Sequence, residues 1–256
     1  MRLVKLGGNS MPPNGSAFRP AAALALILLG TLAAGCEGGL EQAMVPPKAD
    51  VTGIQRVAVM PFANASERPD LADELHEEVL AVLRESGWYE VVSPDEVASL
   101  LASERLDARD VSGKLARDLG LALEADGVIV GTALEYAEDV AVDSPFLVSN
   151  DAAGEPPAWQ ADQHTTVTVS FSAELINVHT GAVVHGRQVQ VEAVITDSRP
   201  LNWLGTEPPP GTVVPSPHRR DIAQARQEAV RKAARLFTAD ILPSYEWVRQ
   251  SSDDEP

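Results

Sequence analysis

The order of apolar runs along the chain predicts an α/β domain, a mixed five-stranded sheet with helices packed on it, preceded by a signal peptide and a flexible tether. Three observations carry this prediction. Two runs are continuously apolar, 54–62 (IQRVAVMPF) and 126–136 (DGVIVGTALEY), as suits strands buried on both faces. Helical stripes separate them, and two later segments alternate apolar and polar with period two before a glycine turn. With 45% hydrophobic and 22% charged side chains over 256 residues, the chain can fill one sizeable core. The boundaries read as 1–35 signal peptide, 36–53 tether, 54–242 folded domain and 243–256 acidic tail.

Within the domain, 54–62 is the first strand, broken near its end by Pro61. Pro69 and Asp70 open a helix with Leu71, Leu75, Val79, Val82 and Leu83 on one stripe, acids crowding its first half and Gly87 as its stop. A short strand at 88–92 ends at Ser93-Pro94-Asp95-Glu96, a cap, a first-turn proline and early acids that start a second helix through about Ser103. A third helix is expected at 112–123, followed by the strand at 126–136. Right-handed crossovers make the first three strands parallel.

The next two strands can be read to their register. Val167, Val169, Phe171, Ala173 and Leu175 alternate with polar residues, and Val183, Val189, Val191, Ala193 and Ile195 are again odd-numbered. Opposed residues share a sheet face, so odd must pair with odd, which requires an odd-length turn. His179-Thr180-Gly181 fits, with Gly181 supplying the left-handed position. The last helix is expected at 219–242, with Ile222, Ala225, Ala229, Ala233 and Leu236 in its stripe. Its cations read as a solvated complement to the acidic first helix.

The amino terminus is an address. Residues 1–35 hold Arg2, Lys5, Arg19 and no acid, with an apolar run at 21–34 that falls short of the ~20 residues of a spanning helix. Translation could start at Met1 or Met11. Leu32-Ala33-Ala34-Gly35-Cys36 resembles the bacterial lipobox, which implies cleavage before Cys36 and acylation of that residue, the only cysteine in the chain. Glu37 in place of Asp then points to the periplasmic face of the outer membrane. Without residues 1–35, 17 cations face 37 acids, a net of −20. Lipid, not charge, must therefore hold the domain at an anionic surface, and nucleic acid is excluded as a partner. As a flexible chain, 36–53 would have an end-to-end distance of roughly 20–25 Å.

Arg56 to Asn64 (RVAVMPFAN), the GWYEVV strand at 87–92, ADGVIVGT at 125–132 and the LINVHTG turn at 175–181 resemble the curli assembly lipoprotein (CsgG-like) family. That family is related in turn to the peptidoglycan-synthase activator lipoprotein (LpoB) and the amino-terminal domain of the Tol-system propeller protein. The resemblance covers 54–242 and implies a fold without catalytic residues. Curli channels insert membrane hairpins at two places, where this chain has long connections at 137–163 and 197–218. Both leave from one end of the sheet. Their acids and prolines predict loops without paired strands and so argue against a pore. Phe146, Leu147 and Trp159 on one loop, and Leu201, Trp203 and Leu204 on the other, are the candidate partner-binding residues, the alternative being that they fold back onto the domain's own sheet end.

Chemistry is sparse. The chain has no G-x-S-x-G, phosphate loop, H-E-x-x-H or G-x-G-x-x-G pattern, so no enzymatic role, cofactor or metal is expected. His76-Glu77-Glu78 reads as a solvated helix face, His164, His179 and His218 as turn or loop residues, and His185 and Arg187 as hydrogen-bonded positions near a sheet edge. The expected role is a lipid-anchored accessory or scaffold of envelope assembly, secretion or cell-wall synthesis that binds an envelope protein. The alternative is a homo-oligomeric ring or channel component of a curli-type secretion system.

Overall fold

The computed structural model describes residues 40–107, 110–148, 158–201, 203, 212, 214 and 216–249. Cys36 and Leu204 lie outside them. The described residues divide into two units, 44–246 and a terminal unit that includes 40–43 and 247–249.

The larger unit is built on a mixed sheet. Its parallel part places β2 (Arg56–Val59) between β4 (Glu90–Val91) and β5 (Gly127–Val142), with Val57 opposite both Val91 and Gly127. β7 (Ala158–Asn177) then runs antiparallel to β5, and β8 (Val183–Leu201) antiparallel to β7, forming the outer edge. Two short strands complete it: β3 (Ala63–Asn64) against β5, and β6 (Phe146–Val148) against β7. The five expected strands are thus β2, β4, β5, β7 and β8, and the first three are parallel.

Four helices cover the two faces of this sheet. α1 (Leu71–Ser86) ends on Gly87 at φ 62°, the left-handed cap its position requires. α2 (Pro94–Glu104) starts as its sequence dictates, with the Ser93 side chain accepting a bond from the Asp95 amide and proline in the first turn. α3 is Gly113–Ala122 and α4 is Arg219–Thr238. One core lies under α1 and α4, where Phe171 packs against both Phe62 and Phe237 with ring centroids 6.3 and 6.0 Å apart. The second lies under α2 and α3 around Met60, Leu101, Leu119 and Ile176. α3 approaches closely because Gly120 has no side chain: a Cβ there would sit 2.5 Å from methyls of Val128 and Val178. The cations of α4 do complement α1, through Arg226 to Glu74 at 3.1 Å and Arg231 to Glu78 at 3.6 Å.

Several expectations are corrected. The connections at 137–163 and 197–218 are not simply loops. β5 continues to Val142, β7 begins at Ala158 and β8 reaches Leu201, with Pro200 tolerated opposite Gln160 because β8 is an edge strand. The odd-with-odd register of β7 and β8 holds, as in Val169 opposite Val191. The turn, however, is longer than three residues: the Asn177 amide bonds to the Ala182 carbonyl and Ile176 faces Val183. A bulge after that pair restores the register and leaves Val183 exposed rather than inward. α4 stops at Thr238, and Phe237 rather than Leu236 is its deep anchor. His76 is not on a solvated face, since its ring packs edge-on against Phe62 with centroids 5.6 Å apart.

Order is also present in parts of the segments expected to be tether and tail. β1 (Leu40–Val45) and β9 (Ser244–Arg249) form a separate two-stranded sheet. Within the larger unit, the Ala49 amide bonds to the Asp240 carbonyl at 2.9 Å.

Candidate functional site

β5, β7 and β8 run on beyond the parallel strands as a three-stranded extension. From Tyr136–Val169–Val191 to Leu147–Trp159–Leu201 it continues for about 30 Å at ~3.3 Å per residue, with β6 taking the place of β5 after Val142. One face is the continuation of the α1/α4 side and carries Val140, Val142, Leu147, Thr165, Gln163, Ala161, Trp159 and Leu201. The other continues the α2/α3 side and carries Asp139, His164, Asp162, Gln160 and Phe146.

An ion-paired arginine ties α4 to the extension. Arg199 on β8 has its side chain only 8% exposed. Its Nη2 lies 2.7 Å from Asp221 in the first turn of α4, and its Nε is 2.9 Å from Asp197. Asp221 sits where the helix dipole favours a negative charge, so the pair orients the start of α4 against β8. Ala161, Gln163 and Thr165 are buried along this face, whereas Val140, Val142 and Leu147 remain exposed on the β5 side. The result is an open apolar strip bordered by half-buried Trp159.

The candidate partner-binding residues distribute as follows. Trp159 and Leu147 are directly opposite each other, and Leu201 is opposite Trp159 on the other side, so these three form one cross-strand row. Phe146 is exposed on the opposite sheet face, paired with Gln160, and does not join that row. Trp203 is half-buried and its amide bonds back to the Leu201 carbonyl at 2.8 Å. Leu204 lies outside the described residues. Val140 and Val142 belong to the strip but escaped the sequence reading, because the acids of 135–143 masked an alternation that continues β5.

At the start of the strip, the Arg68 guanidinium carbon lies 5.0 Å from the centroid of the Tyr136 ring, and the Tyr136 hydroxyl donates to Glu138. Burial, reinforced by Glu138, pushes the Tyr136 hydroxyl up to about 12. This cluster borders the apolar strip with compensated charge.

His76, His164, His179 and His185 make contacts within the fold, and the His185 Nε2 is buried without a hydrogen-bond partner among the described residues, contrary to the expectation for its position near the sheet edge. His164 lies on β7 rather than in a loop, with Nδ1 at 2.9 Å from the Thr196 hydroxyl and Nε2 at 3.1 Å from Asp143. His179 contacts Asp126 at 3.2 Å. Asp126 also accepts from the Arg56 and Gln55 amides at 2.9 and 3.0 Å, fastening the start of β2 to β5 and to the β7–β8 turn. Those bonds, the Arg56 amide first, hold its carboxyl below the usual aspartate range against the opposing effect of burial. Burial lowers the His76 pKa. His185 packs on Phe237 with centroids 5.4 Å apart, and Arg187 Nη1 donates to the Leu236 carbonyl at the end of α4. Among the described residues, no group of three or more His, Cys, Asp or Glu is placed to hold a metal ion, and no helix is long and apolar enough to cross a membrane.

No family model matches the chain, and no curated protein matches it. Solved structures do resemble it. Lipoprotein GNA1162 from Neisseria meningitidis is 18% identical over 55% of this chain and 83% of its own, with a TM-score of 0.40. The LpoB carboxy-terminal domain from Salmonella enterica is 15% identical over 65% of this chain and 93% of its own, at 0.37. A PelC dodecamer from Paraburkholderia phytofirmans is 16% identical over 80% of this chain and 98% of its own, also at 0.37.

Proposed function

We propose that the chain is a non-enzymatic lipoprotein, anchored through Cys36 to the periplasmic face of the outer membrane, that docks an envelope protein and so acts as an accessory or scaffold in envelope assembly, secretion or cell-wall synthesis. The observation that carries this reading is the exposed strip of Val140, Val142 and Leu147 beside Trp159, held out on a sheet extension that Arg199 braces from beneath. Side chains of this kind in one row form the apolar centre of a protein interface, while the charged cluster around Arg68 and Glu138 supplies a polar rim. Phe146, on the other face, would contact a partner only by wrapping of the strand end, and Trp203 would support Leu201. The sole cysteine, placed where an export signal ends, supports the anchor.

The channel alternative fits less well. A strand facing lipid needs a face free of charge, but the extension carries Asp139, Asp162 and His164 on one face and Asp197 and Arg199 on the other. The test is a photoreactive amino acid at Leu147 in intact envelopes. A cell-wall synthase or transporter captured there, and lost when Val142→Asp is added, is the expected result. A ladder of multiples of this chain alone would establish the ring instead.

A further inference from the structure

We infer that the β1–β9 sheet is a second membrane contact, in which the face of β9 bearing Tyr245 and Trp247 rests in the headgroup region of a zwitterionic lipid surface. This inference rests on the lipid anchoring proposed above. Among the large apolar side chains described, Trp247 and Tyr245 are the most exposed, at 67% and 60%. They are two residues apart on one strand and therefore point to the same side. Met44 on the paired strand is also exposed. Such a surface would be a liability in free solution.

Chain length identifies what covers it. Only four residue steps separate Cys36 from Leu40, where β1 begins, and an extended chain spans at most ~3.3–3.6 Å per residue. If Cys36 carries its acyl chains in the bilayer, the start of β1 is thus within about 14 Å of the lipid attachment point. The headgroup layer of a bilayer is itself several ångströms thick. Tryptophan and tyrosine are the side chains favoured there, since an apolar ring and a polar N–H or O–H suit a boundary that is dry on one side and wet on the other. The chain is strongly acidic, so the contact must be made by such rings and not by charge.

The test uses the protein purified from its own membranes and reconstituted into phosphatidylcholine vesicles whose acyl chains are brominated near the headgroup. Intact-mass analysis of the same preparation reports separately whether Cys36 is acylated. The expected result is quenching of tryptophan emission by the brominated lipid, with most of that quench lost in Trp247→Phe. Iodide in the aqueous phase should show the complementary pattern, quenching Trp247 more strongly in detergent than in vesicles. Acylated protein with no difference between the wild type and Trp247→Phe would overturn the inference while leaving the anchor intact. Quenching that is absent while β9 crosslinks to a second copy would overturn it in favour of self-association. An unmodified Cys36 would remove both the anchor and this contact.

Discussion

Arg199→Ala tests whether the extension is braced from beneath by α4. The substitution leaves Asp221, whose side chain is 17% exposed, facing Asp197 without the cation that now lies 2.7 and 2.9 Å from them. Breaking a buried ion pair costs roughly 3–5 kcal/mol, because the remaining charge is stranded. Asp197 is 44% exposed and can turn to water, so the lower end, about 3 kcal/mol, is expected. At roughly 2–4 °C per kcal/mol for a domain of this size, the melting temperature should fall by about 6–12 °C. Thermal unfolding followed by tryptophan fluorescence measures it. The double variant Arg199→Met, Asp221→Leu should recover most of the loss, since replacing a buried pair with apolar residues is close to neutral. A fall of less than about 2 °C in the single variant, or no recovery in the double, would refute the bracing role.

Three further outcomes are expected. Asp126→Asn should cost about 1–3 kcal/mol at neutral pH by weakening its bonds to the Arg56 and Gln55 amides. Because the folded carboxyl titrates below the unfolded value of ~3.9, its contribution is whole above that pH and lost as the pH falls through the folded pKa; denaturation midpoints at a series of acid pH values should therefore decline less steeply in the variant. Gly120→Ala should destabilise by about 1–3 kcal/mol in urea unfolding, since Val128 and Val178 leave no room for a methyl; an unchanged midpoint would mean α3 sits further from the sheet. Tyr89→Phe leaves the Ile241 carbonyl without its 2.6 Å partner and should cost about 1–3 kcal/mol. It should also remove any alkaline transition from the Tyr89 hydroxyl, which burial pushes up to about 12.

The sequence made the central sheet legible because each device there is local. Ser93 and Pro94 start α2, Gly87 stops α1, and the odd-numbered apolar residues of β7 and β8 set a register that the turn bulge does not change. The strand ends were illegible for an energetic reason. Asp139, Asp162 and Pro200 are poor strand residues, yet β-propensity yields where backbone pairs are already in register and the edge needs no further donor. Hence Leu147 and Trp159 were recognised as candidates while the row joining them was not. Likewise, no periodicity in 40–45 announces β1, because its partner lies at the far end of the chain. The packing of His76 was hidden in the same way, by Phe62 in the link between β2 and β3, which the helix reaches only after folding.

The pairing of β1 with β9 also sets an order of events. Synthesis runs from the amino terminus, so residues 40–45 are made long before 244–249 and β1 has no partner strand until the intervening residues have been added. An unpaired strand is a template for association with neighbouring chains. Closure of this small sheet therefore waits for residues 244–249: a polypeptide truncated before Ser244 keeps β1 but lacks the strand that pairs with it.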